Sequence, residues 1–299
     1  MQRNFIYFIN PISGTKNKDA LLKLLERRTN EQQIPFQVMH TNAAGDYVFL
    51  KEKIRKENIT DIIVCGGDGT INQVVAALLN EDINIGIIPM GSGNGLALTA
   101  GISRNASKAM DIIFKGNASY IDGFKINNHF SCMLCGLGFD AKVAHEFAAH
   151  ASRGLLTYIK LSINNFFTAK TYPFGIELNN TIIKSNAFFI SIANSNQFGN
   201  NFTIAPRASL CDGLLDIVIV NKMNKIKLVY AILKQIMLGR VQQVAEKKIK
   251  DTGIRYFQVK NLVIQNPSKA PLHIDGDPVV TDTLFKISII EKAFRLLQP

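Results

Sequence analysis

Residues 65–74, CGGDGTINQV, place three glycines, an aspartate and a threonine between a short apolar run and a helix-like one. Glycine lets backbone approach a ligand closely and take positive φ at little cost. Successive N–H groups in such a turn, ahead of a helix N-terminus, form a concavity that attracts phosphate. A plain tight connector between strand and helix accounts for the same residues, so the loop alone decides nothing. Three similar loops accompany it. NPISGTK (10–16), TNAAGD (41–46), GGDGT (66–70) and PMGSGNG (89–95) each follow a strand-like run, and each is rich in Gly, Ser, Thr or Asn. Four such loops along one sheet edge describe a cradle for a phosphate-rich ligand.

Several other chemistries are excluded by spacing. No GxxxxGK[ST] occurs, and GSGNG (91–95) lacks the third spacing of the dinucleotide fingerprint. The HRD and DFG elements of protein kinases are absent. Cys132 and Cys135 form a CxxC within HFSCMLCGLGF, an apolar run that reads as one strand. Positions three apart on a strand face opposite ways, and no second pair completes a zinc site, so buried neutral thiols are expected. The histidines of HEFAAH (145–150) are five apart rather than four, which separates them on a helix and argues against a zinc-protease motif.

The elements that position the loops follow from periodicity. FIYFI, PFQVMHT, DIIVC and NIGIIP are short strands. They alternate with DALLKLLERRTNEQ, DYVFLKEKIRKEN and TINQVVAALLN, which carry apolar residues at helical spacing. Such alternation predicts βαβ units and a parallel sheet, with ligands outside the carboxyl ends of its strands. After about residue 118 the pattern becomes consecutive strands bounded by Asn, Gly or Pro, with Asn127–Asn128 and Asn179–Asn180 as hairpin turns. Helical insertions interrupt at roughly 140–168 and around KIKLVYAILKQIML. The predicted architecture is an α/β domain with a parallel sheet, residues 1–122, followed by an antiparallel β-sandwich, residues 123–290.

No run approaches the roughly 20 apolar residues of a membrane-spanning helix. The first apolar run is too short for a signal-peptide core, so a cytoplasmic location is expected. The formal charge of +11 favours polyanions. Trp is absent and basic and aromatic residues do not interleave, so nucleic acid is not an expected partner. The tract from Lys222 to Lys250 sets Lys225, Lys227, Lys234, Arg240, Lys247 and Lys248 among apolar residues. A cationic helix with an apolar side can lie on an anionic bilayer, and a solvated surface helix is the commoner explanation of such a tract.

The motifs NPISG (10–14), CGGDGTINQV (65–74), IPMGSGNGLA (88–97), IAPRASLCDGLLDI (204–217) and HIDGDP (273–278) together resemble the diacylglycerol-kinase catalytic-domain family, in that family's order and over nearly the whole chain. GGDGT alone would not, since NAD kinases are similar there. The resemblance implies a nucleotide-binding α/β domain of the NAD-kinase and diacylglycerol-kinase kind, a β-sandwich, and a C-terminal segment, 291–299, returning to the first domain. It implies an ATP- and Mg2+-dependent lipid kinase whose partners are ATP and a lipid substrate at a membrane surface. Peripheral attachment at the inner face of the membrane would bring the two together. A homodimer is an allowed assembly.

Carried over residue by residue, the resemblance gives nucleotide contacts to Asn10, Pro11, Ser13, Gly14 and Thr41. Gly66, Gly67, Asp68, Gly69, Thr70, Ile71 and Asn72 would wrap the phosphates, with Ser92 and Asn94 in the next loop. The family's DGE carboxylates correspond to Asp275 and Asp277, and Asp68 joins them as a catalytic carboxylate. Asp212, with the carbonyls of Ser209 and Leu214, corresponds to a magnesium site thought to be structural. Phosphoryl transfer needs positioning, neutralised triphosphate charge and a carboxylate to receive the hydroxyl proton, which these residues supply. Each acid has a plainer alternative: a turn-stabilising aspartate at 68, an Asp-Gly hairpin at 275–277 and an Asp-Gly turn at 212. Two departures stand out. Asp277 replaces the Glu of DGE, leaving open which acid is the base, and Gly95 replaces the Asp of the family's Asn-Asp pair, as in sphingosine and ceramide kinases. A sphingoid-base kinase, an NAD kinase and a non-catalytic nucleotide or lipid sensor are the competing readings.

Overall fold

The computed structural model describes residues 2–14, 18–42, 44–150, 155–178, 181–197, 203–222 and 253–299. The chain forms two units, Met1–Asp122 with Glu291–Pro299, and Gly123–Ile290.

The first unit runs β1 (Phe5–Ile9), α1 (Lys18–Glu31), β2 (Phe36–His40), α2 (Phe49–Glu57), β3 (Asp61–Gly66), α3 (Asp68–Ala77), β4 (Asn84–Pro89), α4 (Gly95–Thr99) and α5 (Ala106–Lys115). Its strands pair in parallel in the order β2-β1-β3-β4. β1 and β3 are buried along their whole length, as strands covered on both faces must be, which is why their sequences run apolar without alternating. The strand order reverses between β1 and β3. In open α/β sheets that switch point, beyond the carboxyl ends of the strands, is where ligands sit.

Two polar clusters fix the ends of the sheet. Tyr7 on β1 donates its hydroxyl to Thr29 of α1 at 2.6 Å, and Thr29 donates on to the Leu25 carbonyl at 2.7 Å, so a buried phenol is satisfied. Below the strand starts, Arg3 forks the fully buried Asp61, Nε to Oδ2 at 3.0 Å and Nη2 to Oδ1 at 2.6 Å, and donates to the Ile113 carbonyl of α5 at 2.7 Å. The pattern of the sequence names no element between the PMGSGNG loop and residue 118, yet α4 begins at the end of that loop and α5 follows it. The signals for α5 are local: the Asn105 side chain accepts the Lys108 N–H at 3.2 Å, and Gly116 closes the helix with φ 74°.

The second unit is antiparallel. β5 (Ala118–Ile126) leads in, and β6 (His129–Ser131), β7 (Leu134–Gly138), α6 (Phe139–Ala149), α7 (Leu155–Thr168), β8 (Tyr172–Leu178), β9 (Thr181–Ala193) and β10 (Leu215–Asn221) follow. β11 (Ile254–Val259), β12 (Asn261–Gln265), β13 (Leu272–Ile274), β14 (Asp277–Val279) and β15 (Leu284–Leu297) complete it. β9 changes neighbours midway: its first half pairs with β8, while residues 189–193 lie between β7 and β10. Alternate residues such as Leu137, Ile190, Ile192, Ile217, Ile264 and Phe285 point into one sandwich core, the period-two signature of strands. On the opposite face His273, Gly136, Ser191 and Val218 stand in one cross-strand row. α6 packs against β7, β13 and β14. Residues 284–288 of β15 pair antiparallel with β12 in the second unit, while its last residues Arg295 and Leu296 belong to the first unit and pair in parallel with Asn84 and Ile85 of β4.

Local expectations are modified in two places, and the expected turn at Asn127–Asn128 is present. HFSCMLCGLGF is two strands rather than one, broken at Cys132–Met133, where the Met133 carbonyl turns to accept the N–H groups of Asn194 at 2.7 Å and Ser195 at 3.0 Å. Cys132 therefore lies in the bend and Cys135 on the strand, both fully buried. The 140–168 insertion is two helices, and Asn127–Asn128 forms a two-residue turn with Asn127 at φ 50°. The Asn179–Asn180 turn and the basic tract beyond Lys222 lie outside the described residues. Among the described residues no helix is long and apolar enough to cross a membrane.

Candidate active site

The four loops at the carboxyl edge of the parallel sheet are bonded into one body. Asn10, just past β1, donates through Nδ2 to Thr70 Oγ1 at 2.8 Å and accepts the Ile12 N–H at 3.0 Å, folding the NPISG loop against α3. Ser13 donates its hydroxyl to the Asn10 carbonyl at 3.0 Å. Gly14 has φ +60°, and a Cβ there would stand 2.1 Å from the Met90 carbonyl oxygen. Only glycine lets the first loop lie on the fourth. In the second loop Thr41 donates its backbone N–H to the Ile9 carbonyl at 2.9 Å.

The third and fourth loops meet at two glycines. A Cβ on Gly91 would come 2.7 Å from Gly67 Cα, backbone against backbone. Asp68 bridges the same gap: Oδ2 accepts the Gly95 N–H at 3.0 Å and Oδ1 accepts the Leu96 N–H at 3.3 Å. Burial raises the Asp68 carboxyl above the ordinary aspartate value, opposed by these N–H groups and by Arg104. Asn94, at φ 55° and buried, clasps its own loop, accepting the Gly91 N–H at 2.8 Å and donating to the Gly91 carbonyl at 2.7 Å. Ser92 between them is exposed.

These contacts divide the predicted residues by what they do. Asp68, Asn10 and Asn94 spend their side chains holding loops together. Gly66, Gly67, Gly69 and Thr70 bring the α3 N-terminus to the edge with no side-chain cap on it. The first N–H groups of a helix have no intrahelical partner and favour an anion. Glycine at Gly14, Gly67 and Gly91 lets these loops close directly on one another, which leaves backbone at the sheet edge. Lys18, at the start of α1, donates through Nζ to the Ser13 carbonyl, and Arg104 Nη2 donates to the Gly93 carbonyl at 2.9 Å. Sequence reasoning did not single out either cation. Both follow a cradle loop closely enough to have been suspected.

In the second unit Asp275 and Gly276 are the two residues of the β13–β14 turn, with φ 50° and 89° and Ile274 paired to Asp277. Two left-handed residues make a primed hairpin turn, for which Asp-Gly is a favoured pair. The hairpin alternative is thus observed for these residues, and the carboxylate pair sits on it. Asp275 is largely buried, its Oδ1 accepting Ser131 Oγ at 2.7 Å and the Leu134 N–H at 3.0 Å. Asp277 is exposed at the start of β14.

Asp212 also sits in a turn: Oδ1 accepts the Leu214 N–H at 3.1 Å, and Gly213 has φ 71°. Ser209 Oγ accepts the Cys211 N–H at 3.5 Å. Among the described residues no group of three or more His, Cys, Asp or Glu gathers, so a cation at Asp212 would find one exposed carboxylate, nearby carbonyls and water. Magnesium accepts such a set. Nearby Asp216 is fully buried and turned to Tyr256 and Gln258, and burial, with a smaller push from Asp212, raises its carboxyl.

Glycine-built loops at the carboxyl edge of a parallel sheet, followed by an antiparallel sandwich, define a two-unit protein with an α/β unit and a sandwich unit. Residues 4–126 match the diacylglycerol kinase catalytic domain, and residues 134–297 match the YegS C-terminal NAD kinase beta sandwich-like domain. The second match spans more than half of the chain, which therefore belongs to that YegS C-terminal domain family and carries a diacylglycerol kinase catalytic domain ahead of it. "Probable lipid kinase YegS" of Escherichia coli O127:H6 is 29% identical over 296 residues, 96% of this chain and 94% of the relative. "Diacylglycerol kinase" of Staphylococcus aureus is 25% identical over 288 residues, 93% of this chain and 87% of the relative. A crystal structure of a diacylglycerol kinase from Bacillus anthracis shares the fold with a TM-score of 0.75 at 18% identity, covering 99% of this chain and 97% of that one.

Proposed function

We propose that this chain is an ATP- and Mg2+-dependent lipid kinase that moves the γ-phosphoryl group of ATP to a lipid hydroxyl. The observation that carries the reading is the meeting of Gly67 and Gly91 beside Asp68, which welds the loops after β3 and β4 into a backbone cradle next to the sheet's switch point. In the reaction the acceptor oxygen bonds to the γ-phosphorus, the bond from that phosphorus to the β-phosphate bridging oxygen breaks, and ADP leaves. The hydroxyl proton passes to a carboxylate. Asp277 suits this task because it is exposed, whereas Asp275 is buried and occupied with Ser131 and Leu134. Asp68 positions the cradle rather than touching the reacting atoms. A bound magnesium ion spreads the triphosphate charge, and Lys18 and Arg104 stand by to neutralise more of it.

The acceptor is a membrane lipid, diacylglycerol or a sphingoid base, reached from the membrane surface with the help of the chain's net positive charge. Incubation of the purified protein with magnesium, ATP and a total lipid extract, with NAD and buffer alone as parallel acceptors, tests the reading. ADP release with a new phosphorylated lipid identified by mass supports it. Release with NAD makes the protein an NAD kinase, and nucleotide binding without turnover makes it a sensor. Either result overturns the proposal.

A further inference from the structure

Two buried side chains beneath the β13–β14 hairpin take no part in the reaction above, yet their geometry leads straight to Asp277. His273 on β13 and Asp140 in the first turn of α6 are 2% and 6% exposed. His273 Nε2 lies 3.3 Å from Asp140 Oδ2, and His273 Nδ1 lies 3.2 Å from the Gly276 N–H. A backbone N–H only donates, so Nδ1 is bare and the proton of a neutral ring is on Nε2, directed at the carboxylate. Asp140 thereby selects the tautomer, and the tautomer makes the bond to the turn.

The surroundings are shaped for this pair. Gly136 is the cross-strand neighbour of His273. A Cβ there would lie 2.1 Å from Asp140 Oδ2 and 2.5 Å from His273 Nε2, so any side chain would separate the two. α6 grips the same strand a second time, His145 Nε2 donating to the Leu272 carbonyl at 2.7 Å. Gly276 is the turn residue that Asp275's own anchors, Ser131 and Leu134, do not reach. With φ 89° and open space where a Cβ would stand, Gly276 is held by the Ile274–Asp277 pairing that closes the hairpin and by the His273 bond. The next residue is Asp277, whose short side chain goes where its backbone goes.

We propose that Asp140 and His273 are a positioning pair for this chain's acid: Asp140 orients His273, His273 pins the Gly276 N–H, and the pinned turn aims the Asp277 carboxylate. The inference rests on Asp277 as the proton acceptor. Two substitutions separate the two ring nitrogens. In His273→Asn the side-chain oxygen falls where Nδ1 was and keeps the bond to Gly276. In His273→Gln the polar end falls where Nε2 was, keeps Asp140 company and leaves Gly276 without its acceptor.

The assay is transfer from MgATP to diacylglycerol and to a sphingoid base in detergent mixed micelles, with thermal melts of each variant. Since misplacing a reacting group by about 1 Å can cost about 10² in rate, H273Q is expected to lower kcat tenfold or more with the KM for ATP unchanged. H273N is expected to recover most of that loss. Asp277→Asn is run beside them. An inactive D277N with a fully active H273Q, or with H273N and H273Q equally impaired, overturns the positioning role and leaves the base assignment standing. A fully active D277N overturns the base assignment and the positioning role with it. Independently of turnover, 15N shifts of the His273 ring in the unsubstituted protein read the tautomer: a bare Nδ1 supports the pair, and a protonated Nδ1 overturns it.

Discussion

Gly91→Ala probes the cradle with a single methyl group. Gly91 does not have positive φ, so alanine brings no backbone strain and the effect is purely steric. The new Cβ would lie 2.7 Å from Gly67 Cα and 3.0 Å from Asn94 Oδ1. Carbon atoms settle at about 3.5–4.0 Å, so the third and fourth loops must part by about 1 Å. Neither neighbour is a flexible side-chain end: one is backbone and the other is clasped to the Gly91 backbone at both its polar atoms. Overpacking of this kind costs about 1–3 kcal/mol. The functional cost is larger, because about 1 Å at a site that positions phosphates is worth about 10² in kcat/KM. The matched control is Gly86→Ala, whose Cβ would lie 2.6 Å from Ile63 Cδ1 and 3.2 Å from Ile113 Cγ1, in the core and away from the loops. Steady-state kinetics with ATP varied, beside thermal melts, should show a raised KM for ATP in G91A and a lowered melting temperature with near-normal KM in G86A. Wild-type kinetics in G91A, or an equal rise in KM for G86A, would refute the idea that the glycine contact shapes a nucleotide site.

Other expected outcomes follow from single contacts. Asp68→Asn leaves an amide NH2 facing the Gly95 or Leu96 N–H, and an unsatisfied pair of this kind costs about 1–3 kcal/mol. The KM for ATP should rise about tenfold or more, and faster amide exchange at Gly95 and Leu96 checks the cause. Arg3→Ala strands the fully buried Asp61 carboxylate, and chemical denaturation should show a loss of about 3 kcal/mol. The folded form of Asp216 takes up its proton more readily than the unfolded chain does, because burial raises its carboxyl. Its contribution to stability is therefore full below the unfolded aspartate value of about 3.9 and declines as pH rises through the raised folded value. Melts from pH 4 to 7 should show a steeper decline in the wild type than in Asp216→Asn, and parallel curves would contradict this.

How much of this was legible in the sequence depended on distance along the chain. FIYFI and DIIVC announced buried parallel strands because burial on both faces removes polar residues from a strand. Parallel strands put their following loops at one edge, so the four-loop cradle could be inferred from spacing alone. The bonds that weld the loops could not: Asn10 reaches Thr70, and Asp68 reaches Gly95, across tens of residues with no local periodicity to mark them. The same holds for Asp140 and His273, which are 133 residues apart. The histidines of HEFAAH were set aside as zinc ligands on their spacing, but nothing local showed that His145 holds a carbonyl of β13. α4 was overlooked because five residues are too few to show a period, whereas α5 was overlooked although Asn105 and Gly116 bracket it and Ala109, Met110 and Ile113 mark a buried face at helical spacing. The stretch 275–277 read both as an Asp-Gly hairpin and as an acid pair, and the structure shows why: Asp275 is a turn residue and Asp277 follows the turn at the start of β14.

The central claim is that the loops after β1, β3 and β4 hold a triphosphate. Hydrogen–deuterium exchange of the full chain with and without MgATP tests it most directly. The account predicts slowed exchange at residues 66–72, at 10–14 and at 91–96 on adding MgATP, and no such change with magnesium alone. Unchanged exchange in all three loops while nucleotide is bound elsewhere on the chain would contradict it.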